Sequence, residues 1–327
     1  MSLWHSRETA GKLHEPSLTF PRARARMIAE VIAAYGRHLL LRDAQQQVHK
    51  ARPFGRALEI VCGDRVQCEP HGTELLVCAA LPRACLLRRS SARGRSEPVA
   101  ANFTQLAAVA APVPAPDMFL LDRYLCAAAS LGLQALIVMN KNDIPESRAL
   151  REQLAAHAAL GYDLLSVNAD SAAGAAPLRE RLRGHTTILV GQSGVGKSSL
   201  TRLLTGEEGD IAIGALLRDQ EGRHTTTASR LYDCDGDRII DAPGVRDFAP
   251  AIDDLDATTL GFREIARLAG QCRFLDCRHM QEPGCAVREA VATGAIDARR
   301  YESYRRLRRL YEQLWRQRPE RERAGRR

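Results

Sequence analysis

Three short segments of this chain carry residue types suited to phosphate, a purine base and a divalent cation. Residues 191–199 read GQSGVGKSS, a G-x-x-x-x-G-K-S pattern lying between an apolar TTILV and a helical SSLTRLLTG. That is the strand, loop and helix context a phosphate-binding loop requires. Glycines at 191, 194 and 196 let the backbone pass close to phosphate, so Gly191, Gln192, Ser193, Gly194, Val195, Gly196 and Ser199 are expected around it. Amide hydrogens and the helix N-terminus then face the negative charge. Lys197 is expected at the β and γ phosphates, and Ser198 on magnesium.

Residues 140–143, NKND, follow the strand-like QALIVM and so fall at the carboxyl end of a parallel strand, where open α/β sheets bind ligands. The Asp143 carboxylate can accept hydrogens from both N1 and the exocyclic amine of guanine, whereas adenine would leave it unpaired. Asn140, Lys141 and Asn142 complete this candidate base-reading box. Residues 241–244, DAPG, follow DRII, which sets Asp241 to reach magnesium through water and Gly244 to offer an amide to the γ-phosphate. Between the loop and DAPG lies HTTT, residues 224–227, where Thr226 is a candidate to complete the magnesium shell.

The order of these segments is inverted. GTPases ordinarily place the phosphate loop first, but here NKND precedes it by about 50 residues. A circular permutation is expected, and it is physically tolerable because domain termini often lie close together at the surface. It places the HTTT and DAPG segments directly before a cysteine and histidine cluster.

That cluster, CRFLDCRHMQEPGC, spaces Cys272, Cys277, His279 and Cys285 as C-x4-C-x-H-x5-C. Three thiolates and an imidazole form the closed tetrahedral set of a structural zinc ion, with no position left for water. The other six cysteines sit mostly within apolar runs and read as small core residues.

The elements that must hold these groups follow from length and pattern. A chain of 327 residues is expected to form two or three domains. Residues 1–25 show no sustained periodicity and read as a flexible basic extension. Residues 26–92 carry short apolar runs that suggest a small all-β barrel, although the Ala-rich MIAEVIAAY also fits a helix. SSARGRSEP, residues 90–98, reads as a linker. Residues 93–250 alternate strand-like and helical runs, which implies a parallel sheet with crossover helices. Residues 251–327 hold the metal cluster and an Arg-rich helix.

From Arg299 onward the chain has 12 Arg against 4 Glu, a surplus of +8 that equals the net charge of the whole sequence. Such asymmetry points to a polyanion, with nucleic acid as the expected partner. Leu307, Leu310, Tyr311 and Leu314 recur at helical spacing, so one face docks on protein while the arginines project elsewhere. The N-terminus lacks the apolar run of a signal peptide, and no stretch approaches the roughly 18 apolar residues of a membrane span. A cytoplasmic monomer is expected.

Together these residues resemble the circularly permuted ribosome small-subunit-dependent GTPases, over roughly residues 27–315. The resemblance implies an N-terminal OB-fold barrel, matched by GDRV at 63–66 and LPR at 81–83. It also implies a central α/β P-loop GTPase domain and a mainly α zinc domain, whose CxFxDCxHxxEPGC pattern runs from Cys272 to Cys285. It further implies GTP hydrolysis to GDP linked to late maturation of the small ribosomal subunit, with the barrel and zinc domain gripping 16S ribosomal RNA.

Two departures matter. Val245 stands where a water-orienting glutamine would follow DxPG, and VRDFAPAIDD lacks the histidine that relatives often carry there. His224 is the nearest remaining catalytic candidate, so slow intrinsic turnover is expected, and a nucleotide-gated RNA-binding module with little turnover is the alternative. After YDLL, SVNAD replaces the usual Ser-Ala pair, and either Ser166 or Asn168 takes the base-contacting place.

Overall fold

The computed structural model describes residues 26–55, 57–206, 229–234, 236–242 and 248–318. Strands β1 (Met27–Tyr35), β2 (His38–Arg42), β3 (Val48–Pro53), β4 (Arg65–His71) and β5 (Glu74–Ala80) run in the order β1-β2-β3-β5-β4. Pairing of β4 back on β1 closes them into the expected barrel around Val31, Leu41, Val66 and Val77. MIAEVIAAY is strand and not helix. Gly36, at φ +61°, and Arg37 make a two-residue turn that pairs Tyr35 with His38, and this hairpin decides between the two periods. The GDRV and LPR segments meet: the buried Asp64 carboxylate accepts from Arg83 Nε at 2.6 Å, from Arg83 Nη2 at 2.8 Å and from the Val61 amide at 2.9 Å.

Residues 90–98 are not a linker. They are the turn and second strand of a hairpin, β6 (Leu86–Ser90) with β7 (Ser96–Ala101), and the turn docks on the far end of the chain. Ser90 donates its amide to Ala249 O at 2.8 Å and its hydroxyl to Pro250 O at 3.1 Å. A Cβ on Gly94 would lie 2.6 Å from Leu314 O. Small polar residues read as linker because short-range pattern carries no trace of such long-range partners.

Strands β8 (Gln105–Ala110), β9 (Gln134–Met139), β10 (Asp163–Ser166), β11 (Thr186–Gly191), β12 (Ser229–Cys234) and β13 (Asp237–Asp241) form the central sheet, ordered β10-β9-β8-β11-β13-β12. All neighbours are parallel except β12, which is antiparallel to β13. Counted from β11 as the first strand, the order from the β12 edge reads 2-3-1-4-5-6. Helix α1 (Met118–Ser130), after β8, packs in one buried cluster, and α4 (Lys197–Thr205), after β11, packs in another. The chain therefore diverges to opposite faces between β8 and β11, the crevice where doubly wound sheets take ligands. Helices α2 (Ser147–Ala159) and α3 (Ala172–Leu182) complete the layers.

The barrel is not separate from this sheet. Ala33 and Ala34 of β1 pair with Arg230 and Ser229 of β12, making one 11-stranded sheet. Past Phe248 the structure is helical, with α5 (Arg263–Leu268), α6 (Ala286–Ala292) and α7 (Ala298–Gln317) around Phe262, Tyr304 and Leu307.

Helix α7 corrects the expectation for its arginines. Arg300 is 1% exposed; it donates to Glu264 at 2.8 and 3.0 Å and to Asp122 of α1. Arg299 also reaches Asp122, at 2.9 Å, and His157 of α2 approaches the same carboxylate at 2.7 Å. Arg318 pairs with Asp253. Part of the basic surplus therefore staples the helical region to the central domain.

Candidate nucleotide site and metal cluster

The phosphate loop closes β11, NKND closes β9, SVNA begins on the last residue of β10 and Asp241 closes β13, all at the carboxyl edge of parallel neighbours. The central sheet thereby gathers segments that are up to 100 residues apart in sequence. Gly196 caps α4 at φ +94°, in the left-handed region that favours glycine, and a Cβ there would stand 2.3 Å from Asn140 Nδ2. Gly191 faces Val109 O equally closely, at 2.2 Å.

Lys197 Nζ donates to Gly191 O at 2.8 Å and to Gln192 O at 2.9 Å. An ammonium has three donors, so two fix its position and one remains for a phosphate oxygen. Burial pulls the Lys197 pKa down, with Asp241 opposing, and burial pushes the Asp241 carboxyl up to about 6, with Lys197 and Arg230 opposing. Both groups sit in a low-dielectric pocket where incoming charge is strongly felt. Ser193, Gly194, Ser198 and Ser199 are exposed, which leaves the rim of the loop open.

The base box and the loop are bolted together. Asn140 is 1% exposed; its Nδ2 donates to Val195 O at 2.9 Å and its Oδ1 accepts from the Ala169 amide at 3.1 Å. One N–H and the carbonyl of its amide are thus held by protein, and Asn140 acts as a clamp. Lys141, at φ +57°, donates to Val113 O at 2.8 Å and Gly194 O at 3.0 Å. Asp143 stays exposed beside them. Asn142 donates its amide to Val167 O at 3.3 Å. Of the two candidates in SVNA, Asn168 spends Oδ1 on the Asp170 amide at 2.8 Å, while Ser166 Oγ accepts from Arg151 at 3.4 Å. Gln192 braces the loop on α1 by accepting the Asp117 amide at 3.1 Å. His224, Thr226, Gly244 and Val245 lie outside the described residues.

Cys272, Cys277, His279 and Cys285 come together, with ligand atoms all within 4.8 Å of one another. His279 Nδ1 lies 3.5 Å from the sulfurs of both Cys272 and Cys285, which are 3.9 Å apart. A tetrahedral ion with metal–sulfur bonds of about 2.3 Å and metal–nitrogen bonds of about 2.0–2.1 Å requires about 3.6 and 3.8 Å for these separations. The cluster can hold a metal ion.

Its support was not legible from the ligand spacing. Glu282 accepts amides of Arg278, Met280 and Gln281 at 2.8–3.1 Å. Burial alone would raise its carboxyl, but these amides outweigh it and hold it at about 2. Tyr301 and Tyr304 of α7 donate hydroxyls to His279 O at 2.6 Å and Arg278 O at 2.7 Å. The one sequence hint was the acid before Pro-Gly at a turn, flanked by ligands.

The chain is similar to known proteins in sequence and in fold. Residues 80–250 match the family model for the RsgA GTPase. A relative from Neisseria meningitidis serogroup B, a small ribosomal subunit biogenesis GTPase RsgA, is 41% identical over 280 residues, 83% of this chain and 88% of that protein. The RsgA of Ectopseudomonas mendocina is 40% identical over 288 residues, covering 85% and 83%. Among solved structures, YjeQ from Thermotoga maritima superposes with a TM-score of 0.63 at 27% identity over 89% of this chain and 99% of that one. YloQ, described as a circularly permuted GTPase, gives 0.62 at 21% identity over 92% and 99%.

Proposed function

The chain belongs to the RsgA GTPase family, and from that premise we propose that it is a GTPase of small ribosomal subunit biogenesis, cleaving GTP to GDP and phosphate while contacting 16S ribosomal RNA. The observation that supports this reading is the junction of loop and base box: Asn140 on Val195 O and Lys141 on Gly194 O tie NKND to residues 191–199.

In this reading the amides of residues 191–199 and the remaining Lys197 N–H bind the phosphates, and Asp143 reads the guanine edge. Ser198, Asp241 and Thr226 would hold magnesium, which would neutralise charge developing on the phosphates. Gly244 supplies the γ-phosphate amide. No described side chain takes the water-orienting role, His224 being the remaining candidate, so intrinsic turnover is slow. The thiolates and imidazole of the cluster hold one structural zinc ion, which the near-tetrahedral separations support. We place the protein in the cytoplasm as a monomer; among the described residues no helix is long and apolar enough to cross a membrane.

The test is GTP turnover with and without purified small ribosomal subunits. Deleting everything from Arg299 cannot test RNA binding, because it removes Arg300 from Asp122 and Glu264 and so tests folding. Replacing the exposed Arg306, Arg309 and Arg316 with Ala isolates the charge. The triple variant is expected to keep basal turnover and to lose affinity for the subunit, most steeply at low salt.

A further inference from the structure

Away from the nucleotide and metal sites, α7 and the segments before it line an open cavity of about 430 Å³. One wall is aromatic: Tyr311 and Trp315 lie one turn apart, with rings within 6° of parallel and centroids 6.5 Å apart. Arg308 also lines it, although only 3% exposed. Its Nη2 donates to Thr258 O at 3.0 Å and to the Tyr304 hydroxyl at 2.9 Å, and its guanidinium stands 5.7 Å from the Tyr311 ring centre. Its Nε–H, by contrast, is buried with no hydrogen-bond acceptor among the described residues.

The rim carries both signs. Arg278 and Arg316 are exposed, and Asp276 and Glu312 stand among them, Glu312 pairing with Arg278 at 3.5 Å. Flat rings suit a base face, guanidiniums suit phosphate and ring carbonyl oxygens, and carboxylates suit exocyclic amines. The volume is within the range of pockets that take small organic groups. A free nucleotide would meet little beyond this one pocket, whereas a strand could also use the flanking arginines of α7.

We infer that this cavity takes one unpaired nucleotide of single-stranded RNA, its base against the Tyr311 and Trp315 wall and its acceptors toward Arg308 and Arg316. The inference rests on the RNA-binding reading above and deepens it by naming a subsite.

The full chain has two tryptophans, so a Trp4→Phe background leaves Trp315 as the sole indole reporter. Titration with a single-stranded RNA dodecamer is expected to quench its emission, and the duplex of the same sequence is expected not to. Trp315→Leu should weaken single-strand binding about 5- to 100-fold, the range of one lost base stack, with an unchanged salt slope because no phosphate contact is removed. Trp315→Phe keeps a stackable ring and should retain most of the affinity, which separates stacking from loss of fold. Arg308→Lys keeps the charge but loses the fork, and should also weaken binding.

Absence of quenching, Trp315→Leu binding within twofold of the parent, or Trp315→Phe losing as much as Trp315→Leu would each overturn the subsite. Stimulation of GTP turnover by small subunits is measured in parallel on the parent protein. If stimulation persists while the quench is absent, the subsite alone is wrong; if stimulation is absent, the ribosomal reading itself is.

Discussion

At the scale of single residues, the proposed guanine reading puts base choice on the exposed carboxylate of Asp143, with Asn140 holding Val195 and Ala169 through one N–H and its carbonyl. Asp143→Asn exchanges an acceptor pair for a mixed donor and acceptor. It is expected to lower GTP affinity by up to about 10⁴-fold and to favour xanthosine triphosphate, whose C2 carbonyl needs a donor; competition binding reads this directly. Gly196→Ala puts a Cβ 2.3 Å from Asn140 Nδ2 at φ +94°. Loss of nucleotide binding together with a lowered thermal melt is the expected result. The loop was legible because glycine, lysine and serine at fixed spacing have few other uses. The clamp was not, since it joins side chains to backbone groups 29 and 55 residues away.

At the scale of elements, α7 shows how composition misleads. Its arginines suggested a nucleic-acid face, yet Arg300 and Arg299 converge with His157 on Asp122 and hold α7 on α1 and α2. Removing one partner from such a buried group strands a charge, so Asp122→Asn should cost about 3–5 kcal/mol in denaturant unfolding. Burial holds the His157 pKa below its ordinary value, although Asp122 opposes this. Burial would raise Asp122, but Arg300, His157 and Arg299 outweigh it and keep the carboxyl well below its ordinary range.

The signs agree. The unfolded chain takes up a proton on His157 below about pH 6.5, and on Asp122 below about pH 4, that the folded protein resists. Stability is therefore expected to fall from pH 7 to 5 and further below 4, as urea titrations at stepped pH would record. The helical period of Leu307, Leu310 and Leu314 was readable, whereas the carboxylates that neutralise the arginines lie 36 and up to 178 residues away.

At the scale of the whole molecule, the permuted order brings the β12 strand against the barrel. Ala33 and Ala34 pair with Arg230 and Ser229, and Arg42 with Asp233 and Arg238 with Glu30 cross the same seam. Segment order in the sequence announced the permutation, but no local pattern announced one 11-stranded sheet. On the proposed zinc reading, the metal joins the turns that Glu282 and the two tyrosines shape, beside the core of Phe262, Tyr304 and Leu307. Stripping zinc with a zinc-selective chelator, with magnesium kept in excess, is expected to loosen those turns and weaken subunit binding while GTP affinity persists, as paired circular dichroism and nucleotide titration would register. The central claim is most directly tested by steady-state GTP turnover at low salt with added small ribosomal subunits and with Lys197→Ala as the blank. The account expects a severalfold or greater rise with the subunit and none in the blank; a rate that stays at its basal value would contradict it.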